Sequence, residues 1–406
     1  MKNKYDRKTA AFLLFMVVSI VLCSGCGKQE KDRNVKEQQT LTLWYSQSNM
    51  KDYLEQAASA YKDKYQVTIT CEYKENSSYL EELYQSSVQE ENGPDLYLLR
   101  NDKLGRVCME GLAAVNTSKK YDNKHYCDTA LLAAEYQNSL MAYPLYFNTV
   151  CMLYHAEYFP APPATMGAVT AFSEKTELGE NTQYILYWDM NDYFCSYPFI
   201  GNYLNIGGNA GDDKSKVSIY NEQVICCLQQ FQQLGQYFAV DGGQMQAEEA
   251  LTAFAEGRAL CILADSDMVH QMESYGELQY QICAVPDLNE ELKSCAGAYT
   301  ELAVVNGLGF KQEQAAEFAQ FLSYDYAEHL YETTGHFAAR RDISYQKQEL
   351  SEMYKIYEQS KQFPKLPETE DLNLNLNVLF ANVRKGSDIS AELQGFAGKM
   401  EIRMNK

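Results

Sequence analysis

Histidine and cysteine are the side chains best suited to proton transfer, nucleophilic attack or metal ligation near neutral pH. The chain has five of the first and twelve of the second. His125, His155, His270, His329 and His336 are scattered, with no H-E-x-x-H pair to seat a metal beside a general base. No G-x-S-x-G elbow presents a nucleophilic serine. The glycine-rich run Gly207–Ser215 lacks the Gly-Lys-Ser/Thr of a phosphate loop and reads as a surface turn. Cys71, Cys108, Cys127, Cys151, Cys195, Cys226, Cys227, Cys261, Cys283 and Cys295 lie mostly inside apolar runs such as Ala259–Leu263 and Tyr280–Val285. They read as small buried hydrophobes, free rather than paired. None makes a C-x-x-C pair to join with histidine, so no metal, no cofactor and no catalytic residue is expected. Non-covalent recognition is the chemistry left.

The elements that would position such recognition begin after a leader. Lys2, Lys4, Arg7 and Lys8 precede an apolar run from Ala10 to Cys23, too short to cross a bilayer comfortably, and the run ends in Cys23-Ser24-Gly25-Cys26. The small residues before Cys26 resemble the bacterial lipobox, in which the cysteine is acylated and becomes the first residue of the mature protein. That resemblance implies export, lipid on Cys26 and extracytoplasmic anchoring to the bacterial cell membrane. Polar residues from Gly27 to Gln39 then read as a flexible tether. Removing residues 1–25 takes away four basic side chains and one acidic one, so the formal charge falls from −20 to −23. Such an excess argues against nucleic acid and against electrostatic docking on anionic lipid.

About 380 residues remain, enough for two domains with proper cores. Strand and helix alternate: Leu41–Tyr45, a helix from about Met50 to Tyr65, Val67–Cys71, a helix from Ser77 to Gln89, then Asp95–Leu99 after the break at Gly93-Pro94, and a helix from Asp102 to Met109. This βαβαβ pattern implies a largely parallel sheet with helices on both faces. Tyr143–Tyr154 is long for one strand and polar in its middle, as a strand leaving one lobe for another would be. Gly297–Val305 is a second possible crossing. Helices fill Gln223–Phe238, Gln246–Glu256 and the stretch from Glu313 onward.

Taken together, the leader, the strand ending in Trp44, the block Gly93–Val115, the Tyr143-Pro144 strand, Ala253–Leu260, Gly297–Val305 and Phe318–Arg341 resemble the extracellular solute-binding proteins of ABC importers. The likeness is to the family-1 branch that includes maltose- and oligosaccharide-binding proteins, and it covers nearly the whole mature chain. It implies a two-lobe α/β periplasmic-binding-protein-like fold with crossing strands between lobes and a ligand cleft. The expected organisation is a signal peptide at 1–25, a tether at 26–39, lobe one at 40–147, lobe two at 148–298, a return to lobe one at 299–334, and lobe two with C-terminal helices at 335–406. The implied function is capture of a small molecule, most simply a carbohydrate, by a monomer that then meets ABC permease subunits.

In open α/β sheets ligand lies beyond the carboxyl ends of strands. That rule selects Trp44, Ser46 and Ser48 after the first strand, and Asn101, Asp102 and Lys103 after the third. The resemblance places Asp102 and Lys103 on positions that read sugar hydroxyls; a helix N-cap by Asp102 beside a solvated Lys103 is the other reading. Asn148 stands at the first crossing, where the maltose-binding branch has a carboxylate. By the same resemblance Asn191 and Tyr193 reach the cleft from the second lobe. Trp188 either stacks on ligand or packs. Asp265 and Ser266 follow the strand through Leu263, where family members often have a Trp that this chain lacks, so aromatic stacking from that wall is weaker or comes from Tyr299. With 32 Tyr beside 17 Phe and 2 Trp, most rings must be packing groups, yet their flat faces stack on sugar C–H faces. Two other readings stay open: an exported glycan-active lipoprotein enzyme, which needs a carboxylate pair across the sugar, and a surface adhesion or structural lipoprotein.

Overall fold

The computed structural model describes residues 40–89, 92–175, 181–238, 247–276 and 278–405. The expected leader, the tether and Cys26 lie outside them. Strand Thr40–Tyr45 (β1) is followed by helix Lys51–Tyr65 (α1), whose Tyr53, Leu54, Ala57 and Tyr61 form one buried stripe. Gln66, in the left-handed region at φ 61°, ends the helix by donating its N–H to the Lys62 carbonyl. Strand Thr68–Tyr73 (β2) runs parallel to β1. Helix Tyr79–Tyr84 (α2), prolonged by a π-helical turn, leads to Leu96–Arg100 (β3), parallel to β1 on its other side. The βαβαβ expectation is met within a few residues.

Helix Asp128–Ala134 (α3) precedes the long strand Tyr143–Tyr154 (β4), in which every residue but Asn148 is buried. Beyond it come Tyr184–Tyr187 (β5), Tyr193–Ser196 (α4), Glu222–Tyr237 (α5), Ala247–Ala255 (α6), Ala259–Asp265 (β6), Ser266–Gln271 (α7), Gln281–Cys283 (β7) and Gly297–Val305 (β8). The remainder is Gln312–Gln320 (α8), Phe337–Ala338 (β9), Ser351–Gln359 (α9), Lys361–Gln362 (β10), Leu372–Arg384 (α10) and Ile389–Met404 (α11), with helices Leu104–Met109 and Met166–Lys175 and the shorter pieces left unnumbered.

One sheet runs β2-β1-β3-β8-β4-β6-β5, with β7 and β9 against β4 and β10 against β8. The two halves of β4 serve different neighbours. Residues from Tyr143 to Thr149 pair antiparallel with β8, and Val150–Tyr154 pair with β6. This is why β4 is apolar on both faces: it is covered throughout, as central strands are. Phe147 at its middle lies between Tyr357, stacked at 4.0 Å, and Phe337 at 5.9 Å. The β4–β8 register shifts between Glu301 and Leu302, a bulge that re-aims the side chains before it. All ten cysteines among the described residues are free, half of them buried.

Candidate ligand-binding cleft

Arg100, Glu301 and Tyr146 sit side by side on three neighbouring strands, β3, β8 and β4, in direct register. Opposed residues project from the same face, so these three share one surface where β3 ends. Among the described residues no ion pair joins Arg100 to Glu301. The Arg100 Nε and Nη2 donate to the two oxygens of Asp102 at 2.8 Å each, and its guanidinium lies 4.0 Å over the Tyr299 ring. Asp102 therefore clamps an arginine and does not cap the following helix. The Lys103 ammonium is 3.6 Å from the same carboxylate.

Tyr299 connects this surface to helices from further along the chain. Its hydroxyl donates to Asn373 Oδ1 on α10 at 3.0 Å and accepts from the Tyr193 hydroxyl on α4 at 2.8 Å. Asn377, one turn along α10, accepts the Tyr193 N–H at 2.8 Å. The Tyr299 ring stacks on Phe363 at 4.5 Å. Burial pushes the Tyr193 hydroxyl up to about 12, so it remains a neutral donor at any physiological pH.

A second polar group forms where β6 meets β4. Asn148 donates to Asp265 Oδ2 at 3.3 Å and accepts from the Ser266 N–H at 3.0 Å. Asp265 Oδ1 accepts from Met268 N–H at 2.9 Å, capping α7. Burial, and then the like charge of Asp267, push Asp265 up to about 6. Asp267 is 3.1 Å from His336 Nδ1. The His336 ring stacks on Tyr146 at 4.1 Å, and Asn49, in the turn after β1, lies 2.8 Å from its Nε2. These polar groups thus gather from the ends of β1, β3 and β6, from β4 and β8, and from α4 and α10.

Of the residues expected from sequence, the structure brings Asp102 and Lys103 beside Tyr193 and Tyr299, and joins Asn148 to Asp265 and Ser266. Ser266 itself is fully buried, its hydroxyl accepting the Thr149 N–H at 3.1 Å. Trp188 has no exposed surface and packs against Phe199 and Phe238 at 5.9 and 6.2 Å, so of its two readings packing is the one seen. Asn191 is exposed and accepts from Arg384 at 2.9 Å, about two turns along α10 from Asn377 and outside the cluster. Trp44 is buried under the Lys74 ammonium at 4.0 Å. Ser46 is half-buried and Ser48 exposed, on the rim beside Asn49. A cavity of about 290 Å³ lined by Tyr197, Asn205, Ser360 and Lys361, among others, includes none of these residues.

Arg100, Tyr146, Glu301, His336, Asn373 and Asn377 were not anticipated. One signal was available: Glu301 is the only charged residue in Gly297–Val305, and an isolated carboxylate in an apolar strand calls for a partner.

The profile of the family described as bacterial extracellular solute-binding protein matches residues 56–355. A maltooligosaccharide ABC transporter solute-binding lipoprotein of Streptococcus pneumoniae is 22% identical over 337 residues, 79% of this chain and 78% of the relative. A maltotriose-binding protein of Pyrococcus abyssi is 28% identical over 119 residues, 29% of this chain and only 26% of that relative. Among solved structures, the extracellular solute-binding protein of Staphylococcus aureus in complex with maltose superposes with a TM-score of 0.77 at 16% identity, covering 90% of this chain and 98% of the other. At that identity the superposition speaks for the two-lobe fold, while the profile, spanning most of the chain, speaks for kinship. The chain belongs to the bacterial extracellular solute-binding proteins, a family that binds substrate for ABC importers and does not turn it over.

Proposed function

We propose that this protein is the lipid-anchored receptor of an ABC importer and captures a carbohydrate, of the maltooligosaccharide class, between two closing lobes. One observation carries the reading. Neutral hydroxyls and amides from α4, α10 and β4 meet a clamped arginine and a stacked aromatic wall at the crossing strands. Sugars need that mixture of hydrogen-bonding groups and flat apolar faces. The kinship to maltooligosaccharide-binding relatives supports the same class. Asp102, Lys103, Asn148, Tyr193, Asp265 and Tyr299 are the proposed contacts. Residues 40–147 with 299–334 would form one lobe and 148–298 with 335–406 the other. The mature protein works as a monomer, held to the membrane by lipid on Cys26 and read by permease subunits when closed.

Isothermal calorimetry against maltose, maltotriose and maltopentaose, with amino acids and polyamines as controls, tests the reading. Saturable heat with at least one sugar and none with the controls is expected, with the sugar recovered unchanged. Heat from a control alone would reject the carbohydrate class.

A further inference from the structure

We propose that Glu301 and Arg100 form an acceptor and donor couple on the floor of the cleft that reads two neighbouring hydroxyls of the captured sugar. This rests on the carbohydrate reading above and names the pair that gives it specificity. Glu301 is 5% exposed, and among the described residues no hydrogen bond or ion pair reaches its carboxyl group. Leaving a buried carboxyl unpaired is costly, and such a group is kept where something outside the chain completes it.

The surroundings leave little within the protein to do so. Arg100 lies opposite Glu301 on β3 but commits Nε and one Nη2 hydrogen to Asp102, which leaves Nη1 and the second Nη2 hydrogen for a ligand. Tyr79 faces it from α2, with its hydroxyl at the carbonyl oxygens of Trp44 and Leu98, 3.0 and 2.9 Å away. Tyr146 faces it from β4, its ring covered by His336 with Asp267 beyond. Asp102 adds a like charge from the turn after β3. A ligand carboxylate would meet the like charge of Asp102, and an ammonium that of Arg100. A vicinal diol satisfies both partners at once: one hydroxyl donates to Glu301 and its neighbour accepts from Arg100 Nη1.

Burial pushes Glu301 up to about 8, against the opposing pull of Arg100. A hydroxyl donating to the carboxylate favours its charged form, and binding should then release a proton.

The test is calorimetry of the full chain with maltotriose at pH 7 in two buffers of different ionisation heat, on the wild type, E301Q, E301A, R100K and the double variant E301Q/R100K. E301A should bind about 10- to 100-fold more weakly, the cost of losing a hydrogen bond to a charged group. E301Q keeps an acceptor oxygen and should lose less, but its buffer-dependent heat should vanish. The double variant should lose less than the product of the two single losses, because both side chains serve one diol. Should E301A fail to fold by circular dichroism, E301Q carries the test. Wild-type affinity in E301A, or in E301Q with proton release unchanged, overturns the proposal. Proton uptake in place of release overturns the acceptor role. A wild type that ignores maltotriose while binding another sugar of the series moves the same test to that sugar, and one that binds no sugar overturns the carbohydrate reading and the proposal with it.

Discussion

A carboxyl buried without a partner changes what pH does to the protein. Glu301 is pushed from an ordinary 4.5 up to about 8, and Asp265 from 3.8 up to about 6, both chiefly by burial. Each therefore holds its proton in the folded state at pH values where the unfolded chain has lost it. The stability this contributes is fully present below about pH 4 and is lost as pH rises through the folded values. Glu301→Gln removes the larger part. Thermal melts should find the variant about 1–2 kcal/mol more stable than wild type at pH 8 and equal to it at pH 4, after allowing for screening at the cleft. Lys365, whose ammonium burial holds down at about 8, titrates in the same window, but it is common to both proteins and cancels in the difference. A gap of equal size at both pH values would mean that Glu301 does not titrate there. Asp102 acts differently, by holding Arg100 in place. Asp102→Ala should leave the melting temperature within a degree or two and weaken maltotriose binding by about 1–3 kcal/mol, measured by calorimetry. Single residues were also where sequence reading was weakest. Asp102 could be found because it follows a strand end, Asn148 because it stands at the crossing and Tyr193 by the family resemblance, but Asn191 and Trp188 were chosen from the same loop as Tyr193 and point elsewhere. Strand position names a neighbourhood, whereas the direction of a side chain depends on register and bulges that only pairing decides.

Elements were more legible than residues, and the crossing strands show why. A twelve-residue run apolar on both faces has few structural solutions, and β4 occupies the full span expected of it. The same holds for β8, where all nine residues are buried. Less legible was the helix after β2, expected as one piece from Ser77 to Gln89 and found as α2 with a π-helical continuation. Hydrophobic spacing does not distinguish these two hydrogen-bond patterns over so short a stretch. Because β4 belongs to both halves of the sheet, a cavity at its centre should be felt by both. Phe147 is fully buried and stacked face to face on Tyr357. Phe147→Ala should cost about 3–5 kcal/mol, read from the urea midpoint at unchanged slope. If the two halves of the sheet unfolded separately, fluorescence and circular dichroism would give different midpoints for this variant, and the single cooperative core inferred from β4 would be wrong.

At the scale of the whole molecule the cleft is held by contacts that cross between elements: Tyr299 to Asn373, Tyr193 to Tyr299, and His336 beside Asp267. Hinge closure about β4 and β8 is the motion that capture between two lobes predicts. Small-angle scattering should find a smaller radius of gyration with saturating maltotriose than without it, and identical curves would place binding outside the cleft. Anchoring is the other property of the whole chain. Soluble receptor diffuses away from a cell surface, while acyl chains on a cysteine hold it there, so retention should depend on Cys26 alone. Cys26→Ser should release the protein into the medium with unchanged affinity for sugar, since Cys26 and the binding body are separated by the polar run to Gln39. Mass spectrometry of the wild type should find the leader removed and Cys26 acylated. An intact leader, or a Cys26→Ser protein that stays with the membrane fraction, would mean that the apolar run at Ala10–Cys23 is itself the anchor.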